Sequence, residues 1–229
     1  FAERGIAIVG LEPSCLLTLR DEALVLGLGD SAHQVSAQAV LFEEFLAREA
    51  KAGALDTLKQ QLKPTQQAIL LHGHCHQKAF GLMPSITQVI QLIPQVKVDL
   101  IESSCCGMAG SFGYEARHHD ISVQMAELSL LPAVRARPEA VVVADGTSCR
   151  HQIHDGTQRE AVHVAALMAG LFAHELIHVA APSFSVTGAS LRARKLIVLF
   201  LLVAVIGGLA TGAGIGIAKL TAHGPESLA

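Results

Sequence analysis

Tryptophan is absent from this 229-residue sequence, tyrosine occurs once, and aromatic residues make up only 4% of it. Surfaces that stack on nucleobases are built from aromatic side chains, so this scarcity argues against nucleic-acid binding. Charge is sparse and nearly balanced, with 17 Lys and Arg against 20 Asp and Glu, which leaves no basic face for a phosphate backbone. No Cys-x-x-Cys-x-x-Cys ferredoxin run and no flavin-binding half occur. No secretory signal precedes the first apolar run, and the opening at Phe1 rather than Met reads as a processed chain or a piece of a longer one.

What is present is five cysteines and twelve histidines. An odd cysteine count is awkward for a disulfide framework, and a chain of this length can bury a core without one. A reduced compartment and a metal or redox role are the better reading.

Four apolar runs repeat one pattern. Gly5 to Leu11 leads into Glu-Pro-Ser-Cys15, and Ala68 to Leu71 into His-Gly-His-Cys75. Val96 to Ile101 leads into Glu-Ser-Ser-Cys105-Cys106, and Ala140 to Ala144 into Asp-Gly-Thr-Ser-Cys149. Short β-rich runs bounded by Gly, Pro and polar residues read as strands. Helices are expected over 16–26, 31–50 with Ser31 as N-cap, 78–92, 115–131 and 157–179. The alternation predicts an α/β fold with a mostly parallel open sheet and helices on both faces. Every cysteine then falls just past the carboxyl end of a strand, on the sheet edge where ligands bind, so distant thiols converge.

Thiolates are soft ligands that select zinc, copper(I) or iron–sulfur clusters. Adjacent Cys105 and Cys106 diverge too much to serve one small tetrahedral ion together, but they can serve a larger cluster. Gly107 and Gly110 form a glycine-rich turn whose N–H groups can approach sulfur or an anion. Lys78, Arg117 and Arg150 lie near the cysteine loops and can offset cluster charge. Of His72, His74 and His76, which flank Cys75, the last two point to opposite sides of an extended loop.

Cys105-Cys106-Gly107, with Cys75 upstream and Cys149 downstream, resembles the CCG-type cysteine-rich domain of FAD-linked, iron–sulfur-binding 2-hydroxy-acid oxidoreductases. That domain also occurs in heterodisulfide reductase and in the iron–sulfur subunits of glycolate oxidase and anaerobic glycerol-3-phosphate dehydrogenase. The likeness spans about residues 1 to 170. It implies that Cys15, Cys75, Cys105, Cys106 and Cys149 bind a [4Fe-4S]-type cluster, cubane or non-cubane. FAD would sit on a missing domain or partner subunit, making the chain the electron-transfer portion of a dehydrogenase for glycolate or D-lactate. Two departures stand out. Cys149-Arg-His151-Gln replaces the usual Cys-x-x-Cys, so a ligand is absent or supplied by His151 or Cys15. Residues 1–30 look like only the tail of a preceding CCG unit, ahead of a domain over 31–181.

Residues 182–195 read as a linker, and Leu196 to Ala218 carries no charge. As a helix that run reaches about 35 Å, enough to cross a bilayer. Arg192, Arg194 and Lys195 before it, and a short tail over 219–229, place the cysteine domain in the cytoplasm. A single-pass anchor brings lipid contact and makes a membrane quinone a plausible acceptor. Gly208, Gly212 and Gly216 would lie on one face of that helix, where a second helix can approach. His174-Glu175-Leu-Ile-His178 matches a zinc-protease pattern, which leaves a membrane zinc peptidase as one alternative. A structural zinc–thiolate binding domain is the other.

Overall fold

The computed structural model of the chain describes residues 2–172. The linker, the apolar helix over 196–218, the tail and the His174/Glu175/His178 motif all lie outside the described residues. Among the described residues no helix is long and apolar enough to cross a membrane.

Strand β1 (Ile8–Gly10) leads through helix α1 (Pro13–Thr18) and helix α2 (Asp30–Gln38) to strand β2 (Ala39–Leu41). Helices α3 (Phe42–Lys51) and α4 (Asp56–Gln61) follow. Next come β3 (Ala68–His72), α5 (Cys75–Ala79), α6 (Met83–Ile90) and β4 (Lys97–Leu100). Helices α7 (His119–Glu127) and α8 (Leu130–Arg135) precede β5 (Val141–Ala144), and α9 (Thr147–Thr157), β6 (Ala161–Val162) and α10 (Val164–Phe172) complete the described chain.

The α/β expectation holds, but the strands form two parallel sheets rather than one. β1 pairs only with β2, and the main sheet runs β4-β3-β5-β6. Alternation along the central strands sorts the core into two layers. Ile69, Leu71 and Val143 meet Leu46, Ile86, Ile90 and Met168 on one face. Leu70, Val142 and Ala144 meet Ala126, Leu130, Val134 and Ile153 on the other. Helices therefore cover both faces, which is what a buried parallel sheet requires.

From β3 the chain adds β4 on one side, then returns to add β5 on the other. The β3–α5 and β5–α9 loops diverge to opposite faces at this switch point, the position at which open α/β sheets bind ligands.

Several helix boundaries differ from expectation, each for a local reason. Residues 31–50 are interrupted because Ala39–Leu41 pairs with β1. Gly29 rather than Ser31 occupies the N-cap of α2. The stretch over 16–26 keeps only a short α1 and a 3₁₀ turn. The stretch from 78 to 92 breaks at Gly81, whose φ of +68° ends α5 before α6 begins. A break at Leu128–Ser129 divides the 115–131 stretch into α7 and α8. Pro132, expected between elements, sits in the first turn of α8, where a missing N–H costs little. The last helix does not begin at Thr157: α9 ends there, with Gln158 left-handed at φ 56°.

Candidate metal centre

The β3–α5 loop presents Cys75 at the first position of α5. His74 caps that helix, its Nδ1 accepting from the His76 amide at 3.2 Å, while its own amide donates to Gln77 Oε1 at 2.9 Å. Gln77 Nε2 then donates to Asp145 Oδ2 at 2.8 Å, and both residues are buried. Asp145 opens the β5–α9 loop, so one fully satisfied polar bridge fixes the Cys75 turn against the Cys149 turn. The two approach closely because Gly146 lacks a side chain. A Cβ there would stand 2.5 Å from the His74 ring and 3.2 Å from Cys149 Sγ.

Cys105 and Cys106 arrive from the loop after β4. Gly107, at φ +90°, turns the chain so that its amide donates to Cys105 Sγ at 3.3 Å. Four thiols thereby form a row: Cys149 and Cys106 meet at 3.4 Å, and Cys105 lies close enough to Cys106 and Cys75 for each to alter the other's acidity.

The thiols of the row set one another's acidity. The Cys106 and Cys75 thiols beside it hold Cys105 far below the usual thiol range. Cys149 is brought down to about 5, first by Cys106 and then, against burial, by His72 and His74. Cys75 and Cys106 are pushed up, chiefly by the Cys105 thiol beside each. His72 is 1% exposed and its Nδ1 meets Ser103 Oγ at 3.0 Å. Its Nε2 has no partner in hydrogen-bond geometry, and the Cys149 sulfur is the group it acts on.

Lys78 is the cation of the site. Its ammonium donates to Ser103 O at 2.5 Å, Ser103 Oγ at 3.2 Å and Ser104 O at 2.9 Å, using all three protons on the loop before Cys105. Burial pushes its pKa down, and the four clustered cysteines oppose that shift.

The other expected residues divide. Arg150 donates to the Ala144 and Asp145 carbonyls and to Thr147 Oγ1, bracing the Cys149 loop rather than touching sulfur. Gly110 is left-handed at φ +67° with open space around it. Arg117 is exposed and pairs with Glu115 at 2.8 Å. His74 and His76 do not diverge: their rings meet edge-on at 5.1 Å, because they start a helix rather than an extended loop. His151 accepts from or donates to Tyr114 Oη at 2.5 Å, at the exposed rim. Cys15 is exposed on α1, and among the described residues it takes no part in the thiol row. Its loop does dock nearby, since Glu12 Oε2 accepts from the Thr147 amide at 2.9 Å and hydroxyl at 2.8 Å.

A single tetrahedral zinc ion with sulfur at about 2.3 Å brings every sulfur pair to about 3.8 Å. Among the described residues no three cysteine sulfurs lie mutually within 4.8 Å, so the row suits a polynuclear group better than one ion.

Relatives of this site are dehydrogenases. The chain is 31% identical over 153 residues to D-2-hydroxyglutarate dehydrogenase of Escherichia coli strain K12, covering 66% of this chain and 14% of that protein. It is 26% identical over 167 residues to one of the subunits of anaerobic glycerol-3-phosphate dehydrogenase from the same strain, covering 72% of this chain and 40% of that one. The D-2-hydroxyglutarate dehydrogenase of Pseudomonas putida is 29% identical over 165 residues, 71% of this chain and 15% of that protein. These names support the oxidoreductase expectation, and the chain spans well under half the length of each relative. No family model matches the chain, and no solved structure matches it.

Four residues that organise the site went unassigned in the sequence: Glu12, Gln77, Ser103 and Asp145. Asp145 alone had a readable signal, an acidic residue at a strand end four positions before a cysteine.

Proposed function

We propose that this chain is the iron–sulfur, electron-passing portion of a flavin-linked dehydrogenase that oxidises a 2-hydroxy acid. The observation that carries this reading is the row of four thiols gathered from the loops after β3, β4 and β5. The name of one group of relatives supports D-2-hydroxyglutarate as the type of substrate, and the family resemblance of the cysteine motifs supports glycolate or D-lactate. Flavin chemistry falls to a domain or subunit beyond this chain, and the apolar run over 196–218 makes a membrane quinone the favoured acceptor.

Bound at Cys75, Cys105, Cys106 and Cys149, an iron–sulfur cluster supplies one-electron redox chemistry. The protein does the rest. Cys105 and Cys149 are the thiols whose pKa is held low and Cys75 and Cys106 those held high, so the protons of the last two are those that metal uptake must chiefly displace. The Lys78 ammonium offsets the negative charge of the row, and the Gly107 amide directs a dipole at Cys105. Burial of His72, His74, Cys106 and Cys149 keeps water from the inner end of the row.

Protein prepared without air is expected to contain iron and acid-labile sulfide, with broad visible absorption that bleaches on reduction. Cys106→Ser and Cys149→Ser should each remove most of that absorption. Zinc without iron in such a preparation would overturn the reading in favour of a structural zinc–thiolate domain.

A further inference from the structure

A second group of ligating side chains lies on the other side of Asp145 from Gln77. Glu43, in the first turn of α3, is fully buried, and neither carboxylate oxygen has a hydrogen-bond partner. Asp145, 1% exposed, accepts from the Val164 amide at 3.0 Å through Oδ1. His163, immediately before α10, brings Nε2 to 3.5 Å from that same Oδ1 and to 2.8 Å from the Leu11 carbonyl. One ligand atom from each of the three side chains falls within 4.8 Å of the other two. The nearby Arg20 guanidinium does not neutralise the pair, because it is spent on Glu44 at 2.7 and 2.9 Å.

We propose that Glu43, Asp145 and His163 hold a divalent cation, with the Leu11 carbonyl oxygen available as a fourth donor. Two buried carboxyls side by side require a compensating positive charge or a proton. Burial and Asp145 push the Glu43 pKa well up, so a proton is the rival occupant. A proton shared with Asp145 would satisfy one oxygen of each carboxyl, whereas a cation engages a ligand atom from all three side chains at once. The donor set is hard and mixed, two carboxylates and an imidazole, which suits an ion of the manganese(II) class and differs from the soft thiol row. Binding through His163 Nε2 takes the place of its bond to Leu11. It also costs the bond from the Ala165 amide to Nδ1, at 2.9 Å, because a neutral imidazole keeps its one proton on the other nitrogen. The cation would tie the start of α3 to the loops entering α9 and α10, and so fix the Asp145 carboxylate that holds Gln77 and the Cys75 turn.

The test is titration of the full chain, purified without air, with manganese(II) alone, following the spin-resonance signal of the free aqua ion. The expected result is uptake of one ion per chain, with a rise in the thermal midpoint. In Glu43→Gln affinity should fall about tenfold or more and the rise should vanish, while Cys75→Ser still binds manganese. Glu43 makes no hydrogen bond through its carboxylate, so Glu43→Gln keeps the native contacts, and its own melting curve checks its fold. Manganese that stays free at millimolar concentration with folded wild-type protein overturns the proposal. So does Glu43→Gln binding as tightly as wild type. Neither result depends on whether the thiol row holds iron.

Discussion

Gly107 holds φ at +90° beside the two adjacent cysteines, and a Cβ there would stand 2.1 Å from the Ser122 carbonyl oxygen. Both the backbone angle and the backbone neighbour oppose any side chain. Gly107→Ala should therefore cost about 1–3 kcal/mol, read by denaturant unfolding, and should displace the Cys105–Cys106 turn enough to lower iron content. Glu43 carries a pH signature of its own. Its folded pKa lies well above the ordinary 4.5, so the native state keeps a proton that the unfolded chain releases. Relative stability is full below the unfolded value and declines as pH rises through the folded pKa. In chelator-treated protein, Glu43→Gln should gain stability relative to wild type on going from pH 5 to pH 8. A constant difference across that range would show that Glu43 does not titrate between the two states. The cysteines were legible in the sequence because each follows a β-rich run. Glu43 was not, because nothing in Phe-Glu-Glu-Phe tells which carboxylate turns inward. Glu44 takes Arg20 and the Leu41 amide, and Glu43 is left buried.

At the scale of elements, strands with continuous Val, Ile and Leu were readable and interruptions of helices were not. β3 and β5 are buried on both faces, so their residue types reveal them directly. Ala39–Leu41 lies in a helix-compatible stretch and becomes a strand only because β1 lies beside it, a tertiary decision that local propensity does not carry. β6 is two residues long and owes its existence to pairing with β5. The docking of the β1–α1 loop on the main sheet was invisible for the same reason, since it rests on Glu12 and Thr147, 135 residues apart. Burial pushes the Glu12 pKa up, yet hydrogen bonds from the Thr147 amide and hydroxyl and from Ser14 outweigh it and hold the pKa low. Its contribution is present above the ordinary carboxylate value and is lost as pH falls through the depressed one. Glu12→Gln should cost about 1 kcal/mol at pH 7, measured by urea unfolding. The difference from wild type should shrink toward pH 3, where the native carboxyl is itself protonated. A penalty that stays the same at low pH would mean that the charge on Glu12 contributes nothing to the docking.

The described part of the molecule is an α/β body with one thiol-lined edge, and its relatives are several times longer or assembled as subunits. The electron-passing role proposed above requires a donor and an acceptor, and the sequence beyond residue 172 bears on the acceptor. Leu196 to Ala218 is uncharged and follows Arg192, Arg194 and Lys195, the pattern of a helix inserted with its basic flank on the cytoplasmic side. All four thiols of the row, and the described residues of both layers of the core, lie upstream of that segment in the sequence. Ending the chain at Ser190 should accordingly move the protein from the membrane fraction to the soluble fraction. Iron, sulfide and visible absorption per chain should stay the same. Reduction of a water-soluble acceptor dye by the truncated protein, given electrons chemically, should match the full chain, while reduction of a quinone held in vesicles should fall about tenfold or more, since membrane residence raises local encounter frequency. Truncated protein that still sediments with membranes after a high-salt wash would place the attachment within residues 1–190 instead. Equal rates with vesicle quinone would remove the membrane acceptor from the proposal and leave the thiol-bound centre untouched.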